Sequence, residues 1–184
     1  FLAGTLTRPW VVRGGRRVQT LGVRFRPGAT TRLLPVRMDR ATDRETALAR
    51  IVGRGRSARL LARLGRARTR RAIFEAAQAW LVEGLRGEAG AGLSPRAVST
   101  ILRARGQIRI AEVAERTGST ARQLERAFAR DLGIRPKLFA RIVRLNAFLE
   151  RLGEAQRGRM ADLALDAGYF DQAHLLLDFR SLTG

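Results

Sequence analysis

The feature that most constrains the fold is an internal repeat in the C-terminal half of the chain. The string "IAEVAERTG", which starts at Ile110, and the string "MADLALDAG", which starts at Met160, match at an offset of 50 residues. The match then continues at an offset of 51 residues, so the second turn contains one extra residue. The matched pairs are Ile110 with Met160, Glu112 with Asp162, Val113 with Leu163, Ala114 with Ala164, Gly118 with Gly168, Leu124 with Leu175, Phe128 with Phe179 and Gly133 with Gly184. The duplication predicts two copies of one structural unit.

Each copy has the pattern of a helix-turn-helix. A short helix with a small alanine is followed by a glycine turn and by a second helix that begins at a capping residue. Thr120-x-x-Gln123 has the form of a capping box, and Asp171 occupies the equivalent start in the second copy. The sequence therefore predicts a mainly α fold built on two helix-turn-helix units.

The segment between the two units predicts one long helix. The string "PKLFARIVRLNAFLERLG" carries leucine or isoleucine at alternating spacings of four and three residues. These positions are Leu138, Ile142, Leu145, Leu149 and Leu152. Such a helix would fix the two units relative to each other.

The second helix of the first unit has one apolar face and one polar face. The residues expected to anchor it are Ala121, Leu124, Ala127 and Phe128, and Phe179 is the expected buried equivalent of Phe128. The residues left facing outward are Arg122, Gln123, Glu125, Arg126 and Arg130. A helix with this face can enter a DNA major groove, where arginine binds guanine and glutamine binds adenine or a phosphate. A solvated helix face is the alternative, which the duplication disfavours.

Upstream of the repeat, residues 1–45 read as a partial β-rich, sensor-like segment. In "VQTLGVRFRPGATT" the residues Leu21, Val23 and Phe25 alternate with polar residues or glycine, which is typical of a half-buried strand, and Pro27-Gly28 supplies a turn. One or two strands cannot bury a core alone. Partner strands are therefore expected before Phe1, and the chain is expected to be a fragment.

Residues 46–93 read as an arginine-rich helical linker. Leu60, Leu61 and Leu64 have helical spacing, and a second stripe consists of Ile73, Phe74, Ala77, Trp80 and Leu81. Solvated helices with one buried face are the simplest interpretation, and a dimer contact through the Trp80 stripe is the alternative. The string "GEAGAGLSP" then breaks the chain, with Ser94 expected to cap a helix and Pro95 in its first turn. Residues 94–184 form the third predicted domain.

Composition indicates a polyanion partner and argues against chemistry. The net charge is +20, but 35 of the 36 basic residues are arginine, a bias that GC-rich codons could also produce. The chain has no cysteine and one histidine, and no spacing indicates a catalytic or metal-binding cluster. No catalytic residue, metal, cofactor or enzyme activity is expected. Arginines interrupt every long apolar window, which predicts a soluble cytoplasmic protein without a membrane span.

The closing string "GYFDQAHLLLDFRSLTG", with "IAEVAERTGSTARQLERAFARDLGIRPK" upstream, resembles the AraC/XylS transcriptional regulators over roughly residues 94–184. The resemblance implies two helix-turn-helix units on a long helix, binding double-stranded DNA and reading two successive major grooves. "TLGVRFRPGA" also looks like a sensor segment found ahead of this domain in some members. Because such sensors often bind small effectors or dimerise, a small-molecule effector and a homodimer are both open as partners.

The resemblance also implies which residues meet DNA. The positions are Arg122, Glu125 and Arg126 in the first unit, with Gln123 at its helix start, and Gln172, Ala173, Leu176 and His174 in the second unit. Many members carry a basic residue where this chain has Leu177, so most base specificity is expected from the first unit, and the second is expected to contact the backbone. The alternative function is a ligand-binding or protein-interaction module with weakened DNA contacts.

Overall fold

The computed structural model describes residues 1–8, 20–85, 92–154 and 160–184. Within these ranges the chain is mainly helical, as predicted. The helices are α1 (Thr30–Leu33), α2 (Leu48–Val52), α3 (Arg54–Arg66), α4 (Arg70–Val82), α5 (Leu93–Arg103), α6 (Ile110–Arg116), α7 (Ala121–Leu132), α8 (Pro136–Glu154), α9 (Met160–Asp166) and α10 (Gln172–Thr183). A 3₁₀ turn covers Met38–Arg40, and two short strands, β1 (Leu2–Ala3) and β2 (Glu45–Thr46), pair antiparallel.

The strand predicted through Leu21, Val23 and Phe25 is wrong. Residues 20–26 form neither helix nor strand, and Val23 is exposed. Phe25 instead packs against a hydrophobic cluster that includes Leu34 and Met38. Alternation alone does not produce a strand, because a strand also requires a neighbouring strand to satisfy its backbone groups.

The helices of the predicted linker form, and Trp80 is the centre of their packing. Its side chain is buried, its indole Nε1 donates to the Arg56 carbonyl oxygen at 3.0 Å, and the Arg56 guanidinium lies 4.5 Å from the ring centroid. Phe74, which was expected on the same stripe, is 60% exposed. Trp80 shares its cluster with Leu2 and Leu34, so this core combines residues from both upstream segments. The division at residues 45 and 93 stays a prediction.

Ser94 does not cap a helix, because α5 begins one residue earlier, after Gly92. Ser94 is instead buried in the first turn, where its hydroxyl donates to the carboxylate of Asp131 on α7. Residues 87–91 of the predicted boundary string lie outside the described residues.

The two predicted units and the connecting helix are present. The first unit consists of α6 and α7, the second of α9 and α10, and α8 joins them. Each unit has its own core. Val113, Leu124 and Phe128 belong to the first, together with residues of α5 and α8. Leu145, Phe148, Ala164, Tyr169 and Leu175 belong to the second.

The second unit is less covered than the repeat predicts. Phe128 is fully buried with Phe139 packed edge-on at 5.8 Å, whereas Phe179, its repeat partner, is 40% exposed. Leu149 and Leu152, near the C-terminal end of α8, are also exposed. The physical reason is that α5 covers α7 in the first unit, while the described residues that contact α10 come mainly from α8 and α9.

The N-terminal segment packs on the C-terminal end of α7. The Thr5 hydroxyl donates to the Leu132 carbonyl oxygen, and the Thr42 hydroxyl donates to the Gly133 carbonyl oxygen at 2.8 Å. Gly133 has φ +77°, and a Cβ there would lie 2.6 Å from the Met38 carbonyl oxygen. Glycine therefore both ends α7 and admits this close approach.

Candidate nucleic-acid interface

The turn of the first unit is held by a network of short-range hydrogen bonds. Thr117 is buried, and its hydroxyl donates to the Val113 carbonyl oxygen at 2.7 Å. Gly118 takes φ +64°, a conformation that glycine adopts without strain, and Ser119 N–H donates to the Ala114 carbonyl oxygen at 2.9 Å. These bonds set the angle at which α7 leaves α6.

The start of α7 carries the predicted capping box. Thr120 Oγ1 accepts from Gln123 N–H at 3.2 Å, and Gln123 Oε1 accepts from Thr120 N–H at 2.8 Å. Gln123 is exposed, but its side-chain oxygen is engaged in the cap. This placement makes Gln123 a helix-start residue.

The remaining predicted residues of α7 form an open polar face. Arg122, Glu125 and Arg126 are exposed, while Leu124 and Phe128 are fully buried on the opposite side. In the part of the chain that the structure describes, no hydrogen bond or ion pair engages these three side chains. Arg130 differs, because its guanidinium binds Asp131 with both Nε and Nη2 at 2.7 and 2.8 Å.

An arginine-lined cleft lies beside this face and was not identified from the sequence. It has a volume of about 720 Å³ and is lined by Arg37, Arg96, Arg126 and Arg130, with Gly118 and Ser119 of the turn among the other residues. Arg96 comes from α5, and Arg37 comes from the segment before the 3₁₀ turn. Because these arginines are far apart in the sequence, no local pattern indicated that they line one cleft. A cleft lined by four arginines at a helix-turn-helix turn suits a phosphate.

Asp131 ties this region together below the surface. It accepts from Arg130 and Ser94 and, at 3.4 Å, from the Thr31 hydroxyl. Burial opposes its ionisation, but the hydrogen bonds from Arg130 and Ser94 lower its pKa below the ordinary value. The carboxylate therefore connects α1, α5 and α7 as an ionised group.

The second unit repeats the turn with different chemistry. Gly168 takes φ +80°, and Tyr169 N–H donates to the Ala164 carbonyl oxygen at 3.0 Å, which reproduces the bond from Ser119 to Ala114. Asp171 caps α10 by accepting from His174 N–H at 2.7 Å, as predicted. His174 is half-buried, with its ring edge-on to Tyr169 at 5.2 Å. The structure thus places His174 at the helix start.

The outward face of α10 is apolar. At the 51-residue offset, Arg122, Glu125 and Arg126 correspond to Ala173, Leu176 and Leu177. All three are exposed, with Leu176 at 45% and Leu177 at 66%, whereas Leu175 is buried. Gln172 is exposed at the first position of the helix. Ala173, Leu176 and Leu177 are called the apolar face of α10 below.

Contacts from α8 and from the loop between α5 and α6 hold the second unit against the first. Arg144 of α8 donates to the Gly106 carbonyl oxygen at 3.0 Å, and its guanidinium lies 5.6 Å from the ring centroid of Tyr169. Gln107 Nε2 donates to the Asp166 carbonyl oxygen at 3.2 Å. A third contact, from Arg141 Nε to Asp178 Oδ1 at 2.9 Å, attaches α10 to α8.

Comparison with known protein families identifies the C-terminal part of the chain. A family model described as a helix-turn-helix domain matches residues 113–184, from within α6 to the last residue. Residues 113–184 are thus similar to a helix-turn-helix domain. Neither the curated proteins nor the solved structures contain a match. Among the described residues, no helix is long and apolar enough to cross a membrane.

Proposed function

We propose that this chain is a cytoplasmic, sequence-specific transcription regulator of the AraC/XylS family that reads two successive major grooves. Under this proposal α7 and α10 are the recognition helices. Arg122, Glu125 and Arg126 contact bases from α7, and Gln172, Ala173 and Leu176 face the DNA from α10. Gln123 and His174, which take part in the helix starts, contact the DNA backbone under the same proposal. A small-molecule effector and a homodimer stay predictions.

The observation that carries the proposal is the open polar face of α7 beside the arginine-lined cleft. Exposed arginines are usually solvated, but Arg122 and Arg126 stand on a helix whose start is fixed by a capping box and whose opposite face is fully buried. Positioned guanidinium groups can bind guanine with two hydrogen bonds, and the neighbouring cleft can take the phosphates. The positively charged side chains of Arg122 and Arg126 therefore project from a helix that is held in a fixed position.

The decisive experiment compares specific with non-specific binding for Arg126→Ala and Arg122→Ala. The intact chain is first used to select duplexes from a random library, and Kd is then measured on the selected duplex and on a scrambled one. Each variant should lose about 1–3 kcal/mol of discrimination, because a bidentate base contact supplies about that much. Binding to scrambled DNA should fall much less.

Arg71→Ala is the matched control. Arg71 lies on α4, is 89% exposed and pairs with Glu75, so its removal changes the net charge by the same amount without touching α7. If Arg126→Ala and Arg71→Ala lose the same affinity on both duplexes, arginine acts here only through charge, and the base-reading role is wrong.

The alternative, an interaction module with weakened DNA contacts, has one observation in its favour. Leu176, Leu177 and Phe179 expose apolar surface on α10, which a protein partner could cover. Salt dependence separates the two functions. An interaction module with weakened DNA contacts would bind DNA without sequence preference, and moderate salt would abolish that binding. A regulator would still bind its preferred site more tightly than scrambled DNA.

A further inference from the structure

The apolar face of α10 is not needed to hold the fold. Leu175 fills the second core at 2% exposure, while Leu176 and Leu177, the next two residues, are directed away from it. Single exposed leucines need no explanation, but Ala173, Leu176 and Leu177 are spaced at i, i+3 and i+4 and therefore share one exposed side of the helix. The positions of Leu176 and Leu177 equal those of Glu125 and Arg126 on α7.

Charge around the apolar face favours nucleic acid over protein as its partner. Arg180 follows Leu177 by three residues on α10 and is exposed, and no ion pair engages it within the described part of the chain. The protein as a whole carries a net charge of +20. An apolar surface with the Arg180 guanidinium beside it is complementary to the floor of a DNA groove, which has phosphates along its edges.

The chemistry of leucine selects the base. Leucine neither donates nor accepts a hydrogen bond, so packing it against guanine, cytosine or adenine would leave a polar edge group without a partner. Thymine is different, because its C5-methyl group projects into the major groove and takes apolar contacts. Only thymine gains from such a neighbour.

We propose that α10 reads thymine methyl groups in the half-site of the second unit, with Leu177 joining Leu176 and Ala173 as specificity-determining residues. This inference rests on the proposed function and adds the base class of the second half-site. It replaces a purely backbone-bound second unit with one that also discriminates bases through apolar contact.

The test uses a duplex selected by the intact chain, in which thymines are replaced by deoxyuridine. Deoxyuridine keeps the base pair and removes only the methyl group. The selected second half-site should be enriched in thymine. Each contacted methyl removed there should raise Kd about fourfold, the equivalent of about 0.8 kcal/mol for one buried carbon. The same replacement in the first half-site should change Kd by less than twofold.

Variants of the leucines assign the effect to α10. Leu177→Ala and Leu176→Ala should weaken binding to the thymine duplex and reduce the penalty of deoxyuridine, since the partner of the methyl is gone. Both side chains are exposed, so thermal unfolding midpoints should stay near that of the parent protein. Leu61→Ala on α3, at the same 66% exposure as Leu177, should keep the parent Kd and the full penalty.

Three outcomes would overturn the inference. If deoxyuridine in the second half-site changes nothing while Arg126→Ala still abolishes discrimination, the regulator stands and thymine reading is wrong. If no sequence is enriched at all, the proposed function fails and this inference fails with it. If deoxyuridine has no effect and Leu177→Ala instead abolishes self-association in sedimentation, the face joins copies of the chain.

Discussion

At the scale of single residues, the only tyrosine of the chain reports on the packing of the second unit. Tyr169 is buried against Phe148 at a ring distance of 6.5 Å, and Arg144 lies over its ring. Burial, with the nearby Asp178 carboxylate, raises its pKa to about 12. Ionisation of the Tyr169 phenol is therefore linked to whether the turn before α10 is folded.

We expect alkaline pH to destabilise the second unit through Tyr169. Its folded pKa exceeds the unfolded value of about 10, so its stabilising contribution is complete below about pH 10 and is lost as the pH rises towards 12. Phenolate absorbance of this single tyrosine should titrate well above pH 10. Denaturant midpoints should fall over the same range, and less so in Tyr169→Phe. A phenolate midpoint near 10 would contradict the buried placement.

At the scale of elements, α7 and α10, the two proposed recognition helices, differ in how deeply their phenylalanines are buried. Phe128 is fully buried between α5 and α8 residues, whereas Phe179 is 40% exposed. Phe128→Ala should cost about 3–5 kcal/mol, the usual range for a buried phenylalanine. Phe179→Ala should cost about 1–2 kcal/mol, because only part of its ring is covered. Chemical denaturation of both variants measures the difference, and equal losses would show that α10 is as enclosed as α7.

This difference marks what the sequence could predict and what it could not. Repeat motifs and helix caps involve residues that are close together in the sequence. The caps Thr120 and Asp171 and the bounds of the two units could therefore be predicted from local patterns. Burial of Phe179 could not, because it depends on whether another helix covers that side, and the repeat carries no information about α5.

Long-range contacts also decide the roles of the residues that were misassigned or missed from the sequence. Ser94 has the residue type of a cap but bonds to Asp131, 37 residues further along the chain. Arg37 and Arg96 reach the cleft beside α7 from two separate segments. In each case a long-range contact decides the role, and such contacts leave no local pattern.

At the scale of the whole molecule, the upstream segment and the two units form a chain of contacts that runs through α7. Thr42 and Thr5 bond to the last residues of α7 on one side. On the other side, Arg144 and Gln107 connect the first unit to the turn of the second. α7 therefore lies between the N-terminal segment and the second unit.

These contacts make the distance between the two recognition helices a prediction about DNA. Because α8 and its bridges hold the units in one arrangement, we expect half-sites about 10 base pairs apart, in successive major grooves on one face of the duplex. Inserting about five base pairs between them turns the second half-site to the opposite face. Binding should then weaken at least about tenfold, since the contacts of one half-site are lost.

Footprinting and Kd measurements on the selected duplex carry out this test, with the same insertion placed outside the site as the control. The control duplex should keep the parent Kd, and the central insertion should erase protection of one half-site while the other stays protected. The protected half should be the one that Arg126→Ala disrupts, because α7 carries the charged readers. Unchanged binding after the central insertion would mean that the first unit reads DNA alone, with α10 packed in the fold and away from the bases.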